Sequence, residues 1–210
     1  MGIKEFAIDS NGNLYSSISK TLFNKEKQLK KLQKHHARKK NPSNRKEKCR
    51  IKIARKYEQI VNIRDYFHWH LVNKLCSENQ TVVVENLAVA NMIKNRKLSH
   101  SISYLGWSSF VNKLKQKAVE YKTKIVEAPR FFASSKTCYC CGEKKDKLSL
   151  SERTYHCDKC GVEIDRDINA ALNLKSLEFS DNSRGEIIRP KKLYFDFAGN
   201  FCEAITKKIA

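Results

Sequence analysis

Glycine, proline and long apolar runs are scarce in this chain of 210 residues. With 7 Gly and 3 Pro, the chain is neither collagen-like nor a low-complexity sequence. Its longest apolar runs, such as residues 81–84, are far shorter than the ~20 residues of a transmembrane helix. The first residues also lack the pattern of a signal peptide. These absences favour a globular protein that does not use a membrane as its partner.

Acidic residues are also few, because 22 Asp and Glu stand against 42 Lys and Arg, a formal net charge of +20. The 40% of hydrophobic residues is enough for a folded core. Such a charge excess in a folding chain indicates a polyanionic partner, most simply nucleic acid. Eight Cys could belong to a secreted disulfide scaffold. Four of them lie in short pairs within Lys-rich sequence, so we favour a reducing, cytoplasmic location.

Two Cys-x-x-Cys pairs lie fifteen residues apart, and they consist of Cys138, Cys141, Cys157 and Cys160. Each pair places two thiolates on one turn, as two corners of a tetrahedron, which predicts a structural zinc site. Cys140 lies inside the first pair and is expected to be a thiol that binds no metal, although it could exchange with Cys141 as a ligand. The remaining cysteines have no partner spacing and are predicted to be ordinary buried or surface thiols: Cys49, Cys76 and Cys202.

Three short runs predict strands. Residues 3–8 and 14–18 lie on either side of Asn11-Gly12, a sequence typical of a tight hairpin turn. Residues 81–87 include three consecutive Val, which predicts a strand buried on both faces and ending at Glu85. A carboxylate at the end of a buried strand is costly unless it is paired or binds a metal. The alternative, that Glu85 simply reaches solvent, stays open.

Residues 25–56 contain fifteen Lys or Arg and two acids. The sequence Asn-Pro-Ser-Asn at residues 41–44 predicts a turn between two basic helices, the second reaching about Cys76. A solvated helix face is the common reason for such a run. We favour contact with a phosphate backbone, without base specificity, because so much of the excess charge lies in one segment. His68 and His70 are expected to be core or surface residues rather than metal ligands.

The second half of the chain predicts a helix over residues 107–121, with an amphipathic face, and a short strand at 124–127. A last helix begins near Asp167. Aspartate is a favourable residue at the start of a helix, so one of Asp165 and Asp167 is expected to be its cap.

Several segments resemble the transposon-encoded TnpB (OrfB) proteins, a family of RNA-guided DNA endonucleases with a RuvC-like domain, related to miniature type V CRISPR nucleases. The resemblance covers Gly2 to about Leu174. Its segments occur in the family's order: Gly2-Ile-Lys-Glu-Phe-Ala, Val83-Val-Glu85-Asn-Leu, Lys94-Asn-Arg-Lys-Leu, Phe131-Phe-Ala-Ser-Ser-Lys-Thr-Cys138, Leu148-Ser-Leu-Ser-Glu-Arg, Cys157-x-x-Cys160-Gly and Asp165-Arg-Asp-Ile-Asn-Ala-Ala-Leu-Asn.

The resemblance implies an α/β fold, an RNase H-like (RuvC-like) mixed sheet with inserted basic helices and a zinc-ribbon insert. Glu85 and Asp167 match the family's second and third catalytic carboxylates, which would bind Mg²⁺, whereas Asp165 is expected to be structural. The four paired cysteines match the zinc ligands. The implied organisation is a RuvC-like domain over 1–130 with a basic helical segment at 21–78, a zinc ribbon at 131–164, a last RuvC helix at 165–180, and a tail at 181–210 without an assigned function.

The chain departs from the family pattern at its start. In the family, the first catalytic Asp lies on the first strand in a Gly-Ile-Asp-x-Gly-Ile-Lys motif, and here Met1 occupies the x. The resemblance therefore implies that the first strand, its Asp and the family's N-terminal half are missing. Either the true start of the protein lies upstream of Met1, or the gene is a decayed copy. We expect a marginally stable chain that cleaves little or no DNA.

Three interpretations of function follow. The first is a truncated TnpB-type nuclease with DNA and guide RNA as partners, and Zn and Mg as metals. The second is a nuclease-inactive remnant or regulator that still binds nucleic acid. The third is a zinc-stabilised structural or interaction protein without a nucleic acid partner, which the basic charge disfavours.

Overall fold

The computed structural model describes residues 1–2, 5–16, 19–40, 43–149, 151–179, 194–195 and 201–202. Strands and helices alternate irregularly along the chain. In chain order they are β1 (Glu5–Ile8), β2 (Leu14–Ser16), α1 (Ser19–Ala37), α2 (Asn44–Glu78), β3 (Thr81–Val84), α3 (Val89–Met92), α4 (Ser99–Leu105), α5 (Trp107–Tyr121), β4 (Lys124–Glu127), β5 (Thr154–His156), β6 (Glu163–Asp165), α6 (Arg166–Ser176), a 3₁₀ turn (Leu177–Phe179), β7 (Tyr194–Phe195) and β8 (Phe201–Cys202).

The chain folds into two compact units. Unit 1 consists of Met1–Ala7, Tyr15–Gln80 and Ala88–Lys124. Unit 2 consists of Ile8–Leu14, Thr81–Leu87 and Ile125–Ala210.

The predicted N-terminal hairpin is confirmed, since β1 pairs with β2. Its connection is closed by Asp9 rather than by the Asn-Gly pair alone. The Asp9 carboxylate accepts hydrogen bonds from the backbone N–H of Asn11 and of Asn13, both at 2.9 Å. Its other oxygen accepts from the Asn13 side chain at 2.8 Å. Asp9 is thus a structural residue of the turn.

The two basic helices are confirmed as α1 and α2, and they pack against each other. Ser43 caps α2, because its hydroxyl accepts a hydrogen bond from the Lys46 N–H at 3.1 Å. The helices bury a narrow apolar stripe built on Leu22, Leu29 and Ile60. Most lysines and arginines of the two helices therefore remain on the exposed faces.

Aromatic rings form a second part of the core of unit 1. Phe6 lies edge-on to Phe67 and to Phe110, with 5.1 Å between ring centroids in both pairs. His68 lies beside the same ring at 5.3 Å and is fully buried. Its Nε2 lies 3.0 Å from the carbonyl oxygen of Leu105, whereas His70 is exposed. The prediction that these histidines are core or surface residues is confirmed.

Strands β3 and β4 pair with each other. Backbone hydrogen bonds of 2.8 Å run from Lys124 N–H to Gln80 and from Ala128 N–H to Val84, so the strands run in the same direction. Only Val84 is buried in β3, and the other three residues are partly exposed. The prediction of a strand buried on both faces is therefore wrong for most of β3, because its one partner among the described residues is β4.

The architecture is mixed α/β, but its sheets are small. The described residues form four separate two-stranded sheets, β1–β2, β3–β4, β5–β6 and β7–β8, rather than one mixed sheet. Only β7 and β8 of the predicted tail lie in the described part, where they pair antiparallel. None of the helices in the described residues combines the length and apolar character needed to cross a bilayer.

Candidate metal centre and neighbouring acids

The two cysteine pairs lie in two turns of the same construction. In the first, the Cys138 N–H donates to Glu143 O at 2.8 Å and Gly142 N–H donates to Cys138 O at 3.0 Å. In the second, the Cys157 N–H donates to Val162 O at 2.8 Å and Gly161 N–H donates to Cys157 O at 2.9 Å. Both glycines have positive φ, 79° and 72°, a backbone conformation that glycine adopts more readily than other residues. The sequence thus builds the same knuckle twice.

These knuckles bring four sulfur atoms together. Cys138 Sγ lies 3.6 Å from Cys160 Sγ, and Cys141 Sγ lies 3.5 Å from Cys157 Sγ. All four sulfurs lie within 4.8 Å of one another. A tetrahedral zinc with Zn–S bonds of about 2.3 Å needs sulfurs about 3.8 Å apart, so these four cysteines fit a zinc ion. Cys140 is outside the group, so the geometry favours Cys141 over Cys140 as a ligand.

Backbone N–H groups point at the sulfur atoms. Burial raises the pKa of the Cys138 thiol, even though the N–H groups of Cys141 and Cys140 donate to its sulfur. Burial also opposes the thiolate of Cys157, but donors from Cys160 and Lys159 outweigh it and lower its pKa to about 7. Hydrogen bonds of this kind stabilise the charged form of a ligand, and metal binding requires that form.

The segment that carries the cysteines, residues 131–164 (the ribbon), has a small core of its own. Its strands β5 and β6 pair antiparallel, with Tyr155 opposite Ile164. Tyr155 is fully buried against Cys138 and Cys157. Its hydroxyl donates to the carbonyls of Lys136 and Glu143 at 3.2 and 3.4 Å. The tyrosine therefore ties the first knuckle to the β5–β6 hairpin.

Two asparagines of α6 hold the segment that enters the first knuckle. Asn169 accepts from the Tyr139 N–H at 3.0 Å and donates to Thr137 O at 2.8 Å. Asn173, one turn later, donates to Ser134 O at 2.9 Å and to Thr137 O at 2.5 Å. Both side chains are buried, at 0% and 2% exposure. Together they fasten residues 134–139 to α6.

Glu85 follows β3 directly, and α6 lies against β3. Glu85 is partly exposed, and its Oε1 accepts a long hydrogen bond, 3.5 Å, from the hydroxyl of the buried Ser134. The backbone carbonyl of Ser134 also accepts a hydrogen bond from the Asn173 side chain. The entry to the knuckle is thus bonded both to α6 and to Glu85.

Asp165 and Asp167 have different surroundings. Asp165 is the N-cap of α6, because its Oδ1 accepts from the N–H groups of Asp167 and Ile168 at 2.8 and 3.2 Å. Asp167 lies in the first turn, with 44% of its side chain exposed. Guanidinium nitrogens of Arg153 and Arg166 approach its two oxygens at 3.7 and 3.6 Å, which makes these contacts ion pairs without short hydrogen bonds. The prediction that Asp165 is structural is confirmed.

Sequence reasoning did not find the roles of Ser134, Asn169 and Asn173. The two asparagines lie four residues apart on a short helix, and buried amides at that spacing face the same side. This spacing was the available signal. Their partners are backbone groups about 30 to 40 residues away, which no local pattern specifies.

Comparisons with known families agree with this geometry. Residues 1–96 match the OrfB family model, described as "Probable transposase". Residues 107–174 match the model described as "Cas12f1-like, TNB domain". The second match contains all four cysteines, both asparagines and Asp167, and the first contains Glu85.

Individual relatives point the same way. The chain is 39% identical, over 78% of its length, to a Streptomyces pristinaespiralis protein named as an RNA-guided DNA endonuclease. It is 28% identical, over 63% of its length, to the TnpB-like protein L79 of Acanthamoeba polyphaga mimivirus. It spans 40% and 26% of these two relatives.

A solved chain from a Cas12f1–sgRNA–target DNA complex has a similar fold, with a TM-score of 0.58 and 20% identity. The match covers 84% of this chain and 48% of that one. The two family models and the Streptomyces relative show that the chain belongs to the TnpB/OrfB family of transposon-associated proteins.

Proposed function

We propose that this chain supplies two metal-binding acids and a nucleic-acid-binding surface to an RNA-guided DNA endonuclease of the TnpB type. Glu85 and Asp167 bind Mg²⁺, the basic helices α1 and α2 contact phosphates, and the four cysteines hold a structural zinc. The wider fold is then RuvC-like, with the boundaries implied by the sequence: a first part over 1–130, a ribbon over 131–164 and a final helix from residue 165.

The packing of α6 against β3 carries this proposal. Asp167 lies in the first turn of α6, and Glu85 directly follows β3. The two acids therefore belong to neighbouring elements of unit 2, although they are 82 positions apart in the sequence. Neighbouring elements that each present a carboxylate are what a divalent metal site requires.

The surroundings of the acids suit a hard cation. Asp167 is nearly half exposed, and its guanidinium neighbours lie beyond hydrogen-bonding distance. Glu85 is partly exposed, and its Oε1 accepts the long hydrogen bond from the hydroxyl of Ser134, which orients the carboxylate. Carboxylate oxygens are the ligands that Mg²⁺ prefers. When bound, such ions would activate water and stabilise the leaving oxygen in phosphodiester hydrolysis.

The nucleic acid partner follows from charge and from the relatives. Residues 25–56 concentrate Lys and Arg on two helices whose apolar stripe is narrow. Exposed cations along a helix pair attract phosphates without reading bases. One relative is named for RNA-guided cleavage of DNA, and the structural neighbour contains a guide RNA and target DNA. We infer the same two partners, DNA and guide RNA, for this chain.

Binding without cleavage is the second candidate, and one observation favours it for the chain on its own. Within the described residues, the four cysteines are the one group of three or more potential metal ligands in close contact. Glu85 and Asp167 thus lack a third acid in this part of the chain. Two carboxylates can retain an ion but complete a two-metal site poorly. The 210-residue chain alone should therefore bind nucleic acid and cleave little.

Titration of the zinc-loaded chain with Mn²⁺, followed by electron paramagnetic resonance, tests the acid pair. Glu85→Gln and Asp167→Asn should each weaken Mn²⁺ binding about tenfold or more, equivalent to about 1.4 kcal/mol. Asp165→Asn is the matched control, since Asn caps a helix as well as Asp and the site keeps both acids. Equal Mn²⁺ affinity in all four proteins would rule out a metal site at Glu85 and Asp167.

A further inference from the structure

Phe131 is an unusual residue at the end of β4. Its side chain is 97% exposed, and its φ is 126°. It occupies the third position of a tight turn over residues 129–132, which the Phe132 N–H closes by donating to Pro129 O at 2.9 Å. Glycine or asparagine normally takes the positive-φ position of such a turn, because a side chain there is strained.

The backbone conformation and the exposure of Phe131 are therefore both energetically unfavourable, and no contact within the described residues offsets them. A bulky aromatic residue rarely adopts positive φ, and strained conformations of this kind gather at functional sites. A phenyl ring in water also gives up the benefit of burial. Both costs would disappear with glycine at residue 131, so the ring is best explained by something that it binds.

The turn lies close to Glu85. Ala128, just before it, donates its N–H to the carbonyl of Val84, the neighbour of Glu85. Three residues after Phe131, Ser134 donates to the Glu85 carboxylate. Since consecutive Cα atoms lie about 3.8 Å apart, the Cα of Phe131 is within about 11 Å of that of Ser134. A nucleotide held by Phe131 would place its neighbouring phosphates near Glu85.

We propose that Phe131 is a stacking platform for an unpaired nucleobase of the bound strand, an inference that rests on the proposed function. Aromatic side chains stack on bases of any sequence, and a cationic neighbour holds the adjoining phosphate. Arg130, the preceding residue, is exposed and can do this. A base paired within a duplex is covered on both faces, so the ligand is single-stranded.

A protein partner fits less well. Specific protein interfaces bury about 800 Å² per partner, far more than one ring provides. Phe132 and Ala133, which follow Phe131, are only partly exposed, and two of the exposed residues before it, Glu127 and Arg130, are charged. One flat ring next to one cation matches one nucleotide.

Fluorescence anisotropy with a fluorescein-labelled single-stranded thymidine 20-mer, on the zinc-loaded full chain, tests the proposal. Phe131→Ala should weaken binding at least about fivefold, the lower end of the effect of losing one stacked base. Phe131→Tyr keeps the ring and should retain the affinity. Tyr121→Ala is the matched control, because Tyr121 is an exposed aromatic residue on α5, outside the two basic helices.

Phe131→Gly separates a binding role from a packing role. Glycine relieves the strained φ, so this variant should melt at a higher temperature than the unsubstituted chain and still bind the oligonucleotide as weakly as Phe131→Ala. A lower melting temperature would show that the ring packs against the protein, and the inference would fail.

The outcomes also separate the inference from the function beneath it. If the unsubstituted chain does not bind the oligonucleotide even at low salt, both fail. If it binds and Phe131→Ala binds equally well, only the stacking platform is lost. If the chain instead self-associates through Phe131, as judged by light scattering of both proteins, the ring binds a second copy and the inference is wrong.

Discussion

At the scale of single residues, the burial of His68 should make stability depend on pH. Its ring is fully buried beside Phe6 and Phe110. Burial, assisted by the charge of Lys113, lowers its pKa from 6.5 to about 4, against the hydrogen bond to Leu105 O. Within the described residues, Nδ1 has no hydrogen-bond partner, so the neutral ring is the form that the core accepts.

The unfolding free energy should therefore fall as the pH drops below about 6.5. The unfolded chain takes up a proton near 6.5 and the folded chain only near 4, so the stabilisation is complete above 6.5 and is lost between these values. The loss can reach about 3 kcal/mol. Urea unfolding at pH 7, 6 and 5 measures it. His68→Gln should flatten the dependence, and His70→Gln, at an exposed position, should leave it unchanged. Identical slopes in all three proteins would contradict this role of His68.

At the scale of secondary-structure elements, local patterns predicted most boundaries. The apolar face over residues 107–121 and the strand at 124–127 coincide with α5 and β4. The predicted break between two helices is confirmed, since α1 ends at Ala37 and α2 begins at Asn44; residues 41 and 42 of the predicted turn lie outside the described residues. These elements are specified by spacing, capping and turn chemistry, which a sequence displays directly.

Long-range bonds between elements were not predictable in the same way. The Asn169 and Asn173 amides serve the backbone of residues 134–139, and only the fold brings these together. The exposure of β3 was missed because three Val residues indicate burial but not the number of neighbouring strands. The grouping of Cys138, Cys141, Cys157 and Cys160 was predictable because each Cys-x-x-Cys knuckle is a local structure.

Removing the Asn169 amide should loosen the ribbon from α6. Asn169→Ala removes the hydrogen bond to the Tyr139 N–H and one of the two that the Thr137 carbonyl accepts, the other coming from Asn173. The cost is about 0.5–1.5 kcal/mol for each lost bond. We expect faster transfer of zinc to a coloured chelator than in the unsubstituted protein. Lys175→Ala, at an exposed position of the same helix, is the control. An unchanged zinc release rate in Asn169→Ala would mean that the knuckle holds its shape without α6.

At the scale of the whole molecule, the two units are stabilised in different ways. Unit 1 rests on long helices and an aromatic core that need no metal. In unit 2, the described part of the ribbon has a core of Cys138, Tyr155 and Cys157 with a few partly buried neighbours. Segments of about 40 residues or fewer seldom bury enough apolar surface to fold without a metal or a cross-link. The zinc site is therefore expected to provide the folding free energy of the ribbon.

Zinc removal should consequently unfold one part of the molecule and spare another. After treatment with a strong chelator, amide hydrogen exchange should accelerate across residues 134–165, while α1 and α2 keep their protection. Ellipticity at 222 nm should change little, because these two helices contain 54 residues and the ribbon strands β5 and β6 only 6. Cys157→Ser should reproduce the chelated state without chelator, and Cys49→Ser, outside the metal group, should not. Cooperative loss of the helical signal on chelation would show instead that the metal stabilises both units. The free energy of zinc binding would then stabilise the whole chain, and not only the segment that the four thiolates enclose.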